Sequence, residues 1–382
     1  MKSKTFPLFL AFLVMGVADS MGPMSDAVKN QYQLNNVVST LLPFFVFIAF
    51  AVFSVPGGVL AARIGKKNLL LLGLGLNIVA TVVPTFMDPG FTLLLGCIFV
   101  LGVGTTLLQV AGNPIMRDVS PEGSYSRNLA LAQGIKGVGS SGSAYLVGLV
   151  LVLPLFAKMG WRGAFPVFFL LMVLAFIFVA SMKVVETKAE KPPGISSSLA
   201  LMKEPVFYLA VLGIFLYVGA EVSMGRFLKP TLEGFGLGPD TAALLGPTFF
   251  FGALTIGRLA AGAIKTSPRS LFRISAALGL VGVILVMTDT KLFSLAGAIL
   301  GGLGFANIWP MLFSITVEEK PERASELSGL MCMAISGGAI IPLVMGKLVD
   351  SGWAALAYAI PGLCFLYLLL LSLKGARKVA AA

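Results

Sequence analysis

The sequence contains no histidine and few charged side chains. With no histidine among 382 residues, histidine-based catalysis and histidine proton relays are excluded. Asp, Glu, Lys and Arg together make up 12% of the chain, compared with about 25% in soluble domains. This composition argues against a soluble enzyme. It also argues against a nucleic-acid-binding protein, because the excess positive charge lies in short loops between apolar segments.

Cysteine is also scarce, and the sequence does not support nucleotide binding. Cys97, Cys332 and Cys364 lie singly in apolar segments, which predicts neither a disulfide nor a metal site. No G-x-x-x-x-G-K-[ST] motif occurs, so an ATP-driven pump is unsupported. The stretch "GVGSSG" (137–142) fits the dinucleotide pattern, but no strand precedes it, and small residues there let helices approach closely. We therefore expect no cofactor and no metal.

Long apolar segments are abundant, for example "LLPFFVFIAFAVFSVPGGVLAA". A helix of about 20 residues crosses a hydrocarbon core of about 30 Å, and a helix satisfies its own backbone hydrogen bonds there. The first segment lacks a convincing cleavage site, so we interpret it as a span rather than a signal peptide. Twelve spans are predicted: 6–28, 36–62, 68–87, 91–116, 125–153, 164–183, 205–232, 240–264, 270–288, 292–316, 324–349 and 354–373.

Lysine and arginine are distributed unevenly about these spans. Nineteen lie on the side that holds both termini and seven on the opposite side. Because basic residues accumulate in cytoplasmic loops, both termini are predicted to be cytoplasmic. The expected location is the inner (plasma) membrane, as a multi-pass protein.

A polar segment, 184–204, separates two similar halves, 1–183 and 205–382. It contains "KPPG" and a serine run, which are typical of a linker. Motifs recur in the same order on both sides: "ADSMG" (18–22) with "AEVSMG" (220–225), "GGVLAARIGKK" (57–67) with "IGRLAAGAIKT" (256–266), and "NPIM" (113–116) with "WPML" (309–312). Such parallel repeats are typical of secondary transporters, which bind the solute between the halves. The predicted fold is an all-α membrane protein with twelve helices in two pseudo-symmetric six-helix bundles.

Several longer motifs carry a resemblance to a known family: "GGVLAARIGKK", "LLQVAGNPIMRD", "SRNLALAQGIKGVG", "FLYVGAEV" and "FANIWPMLFSITVEE". On these motifs the chain resembles the major facilitator superfamily, and within it the branch of sugar:proton symporters similar to bacterial L-fucose permease. The resemblance implies the major facilitator fold, alternating access and sugar transport driven by a proton gradient.

Three positions depart from the pattern of that branch. Ala62 stands where the loop after the second span usually has an aspartate. Gln109 stands four residues before the Asn-Pro pair, where the branch usually has a glutamate. Lys136 stands where the branch usually has an asparagine. The solute and the coupling of the branch therefore do not transfer directly.

Asp19, Lys136 and Glu221 are charged residues inside predicted spans. A charge in the bilayer is costly unless it is paired or solvated, and it marks a functional site by default. We predict an ion pair between Asp19 and Lys136, with a role in proton coupling or charge balance; a purely structural pair is the alternative. Glu221 corresponds to Asp19 in the second half and has no obvious cation beside it. It is predicted to be a cavity hydrogen-bonding group or a protonation site.

Uncharged polar residues on the fourth, fifth and tenth spans complete the predicted solute-binding site. Amides donate to and accept from hydroxyl groups, and an indole offers a flat face to a sugar ring. Together with Lys136, the predicted binding residues are Gln109, Asn113, Gln133, Asn307 and Trp309. Two alternatives remain: Trp309 as a packing residue, and Asn113 as the donor to the carbonyl that Pro114 leaves free.

We predict a secondary transporter, not an enzyme, which moves a monosaccharide-like solute by alternating access with a proton as the coupled ion. The alternatives are a transporter of an anionic solute, such as a sugar acid or an organic acid held by Lys136, and an uncoupled facilitator. The expected partners are the solute, a proton and the lipid bilayer. We expect no nucleic-acid partner and a monomeric chain.

Overall fold

The computed structural model describes residues 2–156, 158–187 and 193–374. In this part of the chain, twelve helices are long and apolar enough to cross a membrane, within five residues of the predicted boundaries. We number them spans 1 to 12: Thr5–Tyr32, Leu41–Ile64, Lys66–Phe86, Phe91–Val119, Tyr125–Val152, Gly160–Ser181, Pro205–Gly234, Pro239–Ala261, Pro268–Met287, Lys291–Glu319, Pro321–Asp350 and Ala354–Lys374. Residues 188–192 of the predicted linker and residues 375–382 lie outside the described residues.

Local chemistry explains where several spans begin and end. Spans 7 and 9 begin at Pro205 and Pro268, where the fixed φ of proline suits the first turn and its missing N–H is not needed. Spans 2 and 3 are joined by the single residue Gly65, whose φ of 95° is accessible to glycine but strained for other residues. The linker helix, Ile195–Ala200, follows the polar segment between the halves.

Several spans are interrupted within the membrane, which the sequence analysis did not predict. Span 1 contains a 3₁₀ turn at Gly16–Ser20, and span 11 contains one at Ala334–Ser336. Span 8 contains a π-helical turn at Leu244–Thr248, and span 10 is broken at Asn307. Interruptions of this kind are tolerated at membrane depth where other protein groups satisfy the freed backbone.

The first compact unit contains the described residues within 1–125, 135–200 and 320–333. Glycines allow its helices to meet backbone to backbone. A Cβ atom added at Gly73 would lie 2.7 Å from the carbonyl oxygen of Gly104, where spans 3 and 4 cross. A Cβ atom at Gly58 would lie 2.6 Å from the carbonyl oxygen of Ser325, so span 2 packs tightly on the 320–333 segment. Such small-residue contacts are the usual means of helix packing in lipid.

The second compact unit contains residues 126–134 and 201–319 and the described residues from 334 to 374. One of its contacts matches a contact of the first unit. A Cβ atom at Gly337 would lie 2.0 Å from the carbonyl oxygen of Phe215, and a Cβ atom at Gly139 would lie 2.0 Å from that of Leu13. Leu13 and Phe215 are separated by 202 residues, the same spacing as Asp19 and Glu221. The match supports the repeat, while the superposition of 1–183 on 205–382 stays a prediction.

Candidate functional site

Asp19 lies in the 3₁₀ turn that interrupts span 1, next to span 5. A Cβ atom at Gly16 would lie 2.3 Å from the backbone nitrogen of Ser140, and one at Gly139 would overlap the carbonyl of Leu13. Two glycines thus allow spans 1 and 5 to touch through their backbones. This contact is the packing role predicted for "GVGSSG", and it brings Asp19 beside the side chains of span 5.

The predicted contact between Asp19 and Lys136 is present. The distance from Lys136 Nζ to Asp19 Oδ2 is 3.7 Å, and the hydroxyl of Ser140 donates to the same oxygen at 2.6 Å. The side chain of Asp19 is 49% exposed, and that of Lys136 is 19% exposed. The pair therefore balances its own charge, while about half of the Asp19 side chain is not covered by other residues.

Span 4, which belongs to the first unit, carries two buried amide side chains, Gln109 and Asn113. Gln109 is buried, and its oxygen Oε1 has no hydrogen-bond partner among the described residues. The amide nitrogen of Asn113 lies 3.8 Å from the sulfur of Cys332. Lys136 therefore does not donate to Gln109 Oε1.

Pro114 interrupts the hydrogen bonding of span 4. A proline inside a helix has no N–H for the carbonyl four residues earlier, which here belongs to Val110. The hydroxyl of Ser328 donates to that carbonyl at 2.7 Å. Asn113 was the donor considered from the sequence, whereas Ser328 is remote from Val110 in the chain and has no local pattern that indicates this role.

Glu221 in the second unit is paired, so the expectation that it lacks a cation was wrong. Arg258 Nη2 lies 3.7 Å from Glu221 Oε2, and the same nitrogen donates to the hydroxyl of Tyr217 at 2.9 Å. Arg258 lies close to the end of span 8, but it is only 7% exposed. An arginine so deeply buried requires hydrogen-bonding partners, and Glu221 and Tyr217 are placed to meet this need.

Arg258 also contacts the break in span 10. Its Nε donates to the carbonyl of Ala306 at 3.1 Å. Pro310 follows four residues later, so this carbonyl has lost its helical donor in the same way as that of Val110. The helix ends at Ala306, Asn307 has φ −104° and ψ 2°, and a second helix begins at Ile308.

The break leaves two buried polar atoms without partners. The nitrogen Nδ2 of Asn307 points to the carbonyl of Gly257 at 3.5 Å, while its oxygen Oδ1 has no partner among the described residues. The indole nitrogen of Trp309 also has none, although the residue is 3% exposed. The ring of Trp309 packs against Phe313. One acceptor and one donor at the break therefore have no protein partner among the described residues.

The predicted binding residues are divided between the two compact units. Gln109, Asn113 and Lys136 belong to the first unit, whereas Gln133, Asn307 and Trp309 belong to the second. Gln133 is buried. The roles of these residues remain predictions. Among the described residues, no group of three or more Cys, Asp or Glu side chains is placed to hold a metal ion.

Twelve spans that enclose paired charges and unpartnered polar atoms are typical of a membrane transporter. The sequence profile of the Major Facilitator Superfamily matches residues 8–266. The chain is 30% identical to a glucose/galactose transporter of Brucella abortus over 374 residues, which cover 92% of this chain and 88% of that protein. It is 25% identical to the L-fucose-proton symporter of Escherichia coli K12, with 93% and 89% coverage.

The fold is similar to that of a solved transporter. The crystal structure of the E. coli fucose:proton symporter matches with a TM-score of 0.83 at 20% identity, covering 97% of this chain and 98% of that one. The protein belongs to the major facilitator superfamily. It is a multi-pass membrane transporter, and the fold expected from the resemblance is confirmed.

Proposed function

We propose that the protein transports a neutral monosaccharide across the plasma (inner) membrane by alternating access, coupled to a proton. The observation that carries this proposal concerns three of the predicted binding residues, each of which has a buried polar atom without a partner among the described residues. These atoms are Gln109 Oε1 in the first unit, and Asn307 Oδ1 and Trp309 Nε1 in the second. Buried polar groups normally have partners. Two acceptors and one donor suit the hydroxyl groups of a sugar, and the curated relatives include glucose/galactose transporters.

The charges in the first unit favour a neutral solute over an anion. Lys136 already faces the carboxylate of Asp19, and Ser140 donates to the same carboxylate. A carboxylate on the solute would have to draw Lys136 away from Asp19 and leave that charge with less compensation. A hydroxyl group needs no such exchange.

Asp19 is the better candidate for the proton-coupling acid, with Lys136 as its counter-charge. Its side chain is 49% exposed, whereas that of Glu221 is 19% exposed and lies against Arg258. Protons therefore reach Asp19 from water more easily. Gln109 cannot release a proton, and we assign Glu221 to charge balance.

The orientation follows from the loops. The excess of lysine and arginine on the side of the termini favours a cytoplasmic location for both ends of the chain. The twelve spans are surrounded by the lipid bilayer. A single chain contains the predicted binding residues of both compact units. We therefore propose that the monomer is the transporting unit.

Reconstitution of the purified protein into liposomes tests this function. Uptake of radiolabelled D-glucose, D-galactose, L-fucose and D-galacturonate is measured with and without an acidic exterior, and liposomes without protein are the control. We expect accumulation of a neutral sugar that requires the pH gradient and collapses with a protonophore. Accumulation of galacturonate alone would support the anionic alternative. Equilibration without accumulation would indicate a facilitator.

A further inference from the structure

The second compact unit contains a buried arginine that contacts both Glu221 and the interrupted span 10. We propose that Arg258 is a positioning residue for solute binding. It holds the break in span 10 against Glu221, so that the free polar atoms of Asn307 and Trp309 keep the geometry that binds the solute. This inference rests on the proposed function for the identity of the solute, and one of its tests needs no solute.

The first step is the carbonyl of Ala306. Pro310 removes its helical donor, and a buried carbonyl without a donor is destabilising. Arg258 Nε supplies the hydrogen bond at 3.1 Å. The position of the helix end at Ala306 therefore depends on where span 8 places the guanidinium group.

The guanidinium group of Arg258 makes contacts in two directions at once. Nε donates to span 10, while Nη2 donates to Tyr217 and faces Glu221 on span 7. A planar group with donors in fixed directions ties two helices together at a defined distance. A lysine ammonium has one nitrogen in place of this fork, so it cannot reproduce the same set of contacts.

The third step is the residue that precedes Arg258. The carbonyl of Gly257 faces the nitrogen Nδ2 of Asn307 at 3.5 Å, which leaves the oxygen Oδ1 as the free acceptor. A Cβ atom at Gly257 would lie 2.6 Å from the Cβ atom of Ala306, so spans 8 and 10 are close here. Gly257 and Arg258 thus set both the helix end and the orientation of the amide.

The first unit shows that satisfying the carbonyl does not require an arginine. There, the hydroxyl of Ser328 alone satisfies the corresponding carbonyl of Val110. The position that matches Arg258 in the first half is Val59. Because a serine hydroxyl can satisfy such a carbonyl, the hydrogen bond alone does not account for an arginine. What Arg258 adds is a simultaneous contact with Glu221.

The test compares Arg258→Lys with the double variant Arg258→Met/Glu221→Gln, in which the charge pair is removed as a whole. Arg226→Lys is the matched control, because Arg226 is an exposed arginine on span 7 that lies over Phe227. The full-length protein is labelled with 5-fluorotryptophan, and the ¹⁹F resonance of Trp309 is assigned with Trp309→Phe. Resonances are recorded first without sugar, and then D-galactose and D-glucose are titrated.

We expect Arg258→Lys to shift the Trp309 resonance in the sugar-free protein and to weaken sugar binding about tenfold. The double variant should still fold, with a lower melting temperature because the carbonyl of Ala306 loses its donor, and should keep the shifted resonance and the weak binding. Arg226→Lys should match the parent in both measurements. A double variant with the parental resonance and affinity would show that Arg258 only compensates charge, and would overturn the proposal.

Other outcomes are also decisive. An unchanged Trp309 resonance in Arg258→Lys overturns the proposal, as does failure of both variants to fold, which would make Arg258 a structural residue. If the parent protein binds neither sugar while Arg258→Lys still shifts the sugar-free resonance, the assignment of the solute fails and the positioning role stands.

Discussion

The hydroxyl of Ser328 donates to the carbonyl of Val110, the carbonyl that Pro114 leaves without a helical donor. The matching proline of the second half, Pro310, frees the carbonyl of Ala306, which Arg258 satisfies. Each proline thus leaves one backbone carbonyl without a helical donor, and a side chain from another span donates a hydrogen bond to that carbonyl. The two donors have different chemistry, which gives the two halves different properties at corresponding positions.

Ser328→Ala should destabilise the protein. The carbonyl of Val110 would remain buried without a donor, at a cost of about 1–3 kcal/mol. The apparent melting temperature in detergent measures the change. Ser314→Ala is the control, because the hydroxyl of Ser314 is buried but bonds only to Met311 of its own helix. Equal melting temperatures for the two variants would contradict the assignment of Ser328.

Asp19→Asn should abolish accumulation driven by a pH gradient while preserving counterflow. The amide keeps the size of the side chain and can still accept a hydrogen bond from Ser140, but it cannot bind and release a proton. Counterflow needs no net proton movement, so the comparison separates coupling from binding. Glu221→Gln should retain accumulation. If Asp19→Asn accumulates sugar as the parent does, Asp19 is not the coupling acid.

Lys136→Asn should change the preference among solutes more than it changes the amount of folded protein. The substitution removes the cation at 3.7 Å from Asp19. Asp19 remains half exposed and keeps the hydrogen bond from Ser140, so the membrane-embedded structure has an alternative way to stabilise the charge. Competition of unlabelled sugars and sugar acids against labelled sugar measures the preference. An unchanged ranking with a large loss of folded protein would identify a structural ion pair.

Gly139→Ala should prevent stable packing of spans 1 and 5. The added Cβ atom would lie 2.0 Å from the carbonyl oxygen of Leu13, and a backbone atom cannot move aside as the end of a side chain can. Gly142→Ala is the control on the same helix, because a Cβ atom there meets nothing within 4 Å. Size-exclusion chromatography in detergent and uptake should be normal for Gly142→Ala and impaired for Gly139→Ala.

The repeat predicts an equivalent result in the second half. Gly337→Ala would place a Cβ atom 2.0 Å from the carbonyl oxygen of Phe215, and Gly252→Ala would meet nothing within 4 Å. The first of these variants should be as damaging as Gly139→Ala, and the second should behave as the parent does. A tolerated Gly337→Ala would argue against equivalent packing in the two halves.

The existence of the spans could be predicted because it depends on local properties. Length and apolar composition set whether a segment crosses the bilayer, and span 4 was predicted at 91–116 and is found at Phe91–Val119. The contact of Asp19 with Lys136 was also predictable, because an intramembrane charge requires a partner and both residues lie deep in their spans.

The pairing of Glu221 with Arg258 was not predicted, and the reason is geometric. Arg258 lies close to the end of span 8 in the sequence, but a long side chain can reach several ångströms from its Cα atom towards the interior. The direction it takes depends on what packs around it. Here, the carbonyl of Ala306 and the hydroxyl of Tyr217 accept its hydrogen bonds.

The sequence by itself determined which segments enter the membrane, where prolines remove a backbone donor and which charges need a partner. Each of these follows from the residue type and its immediate neighbours. Only the tertiary structure decided that Ser328 donates to the carbonyl of Val110 and that Arg258 donates to the carbonyl of Ala306. It also decided that Asn307 and Trp309 each keep a polar atom without a partner among the described residues. These contacts join residues far apart in the chain, and they depend on the separation and rotation of packed helices, which no local pattern encodes.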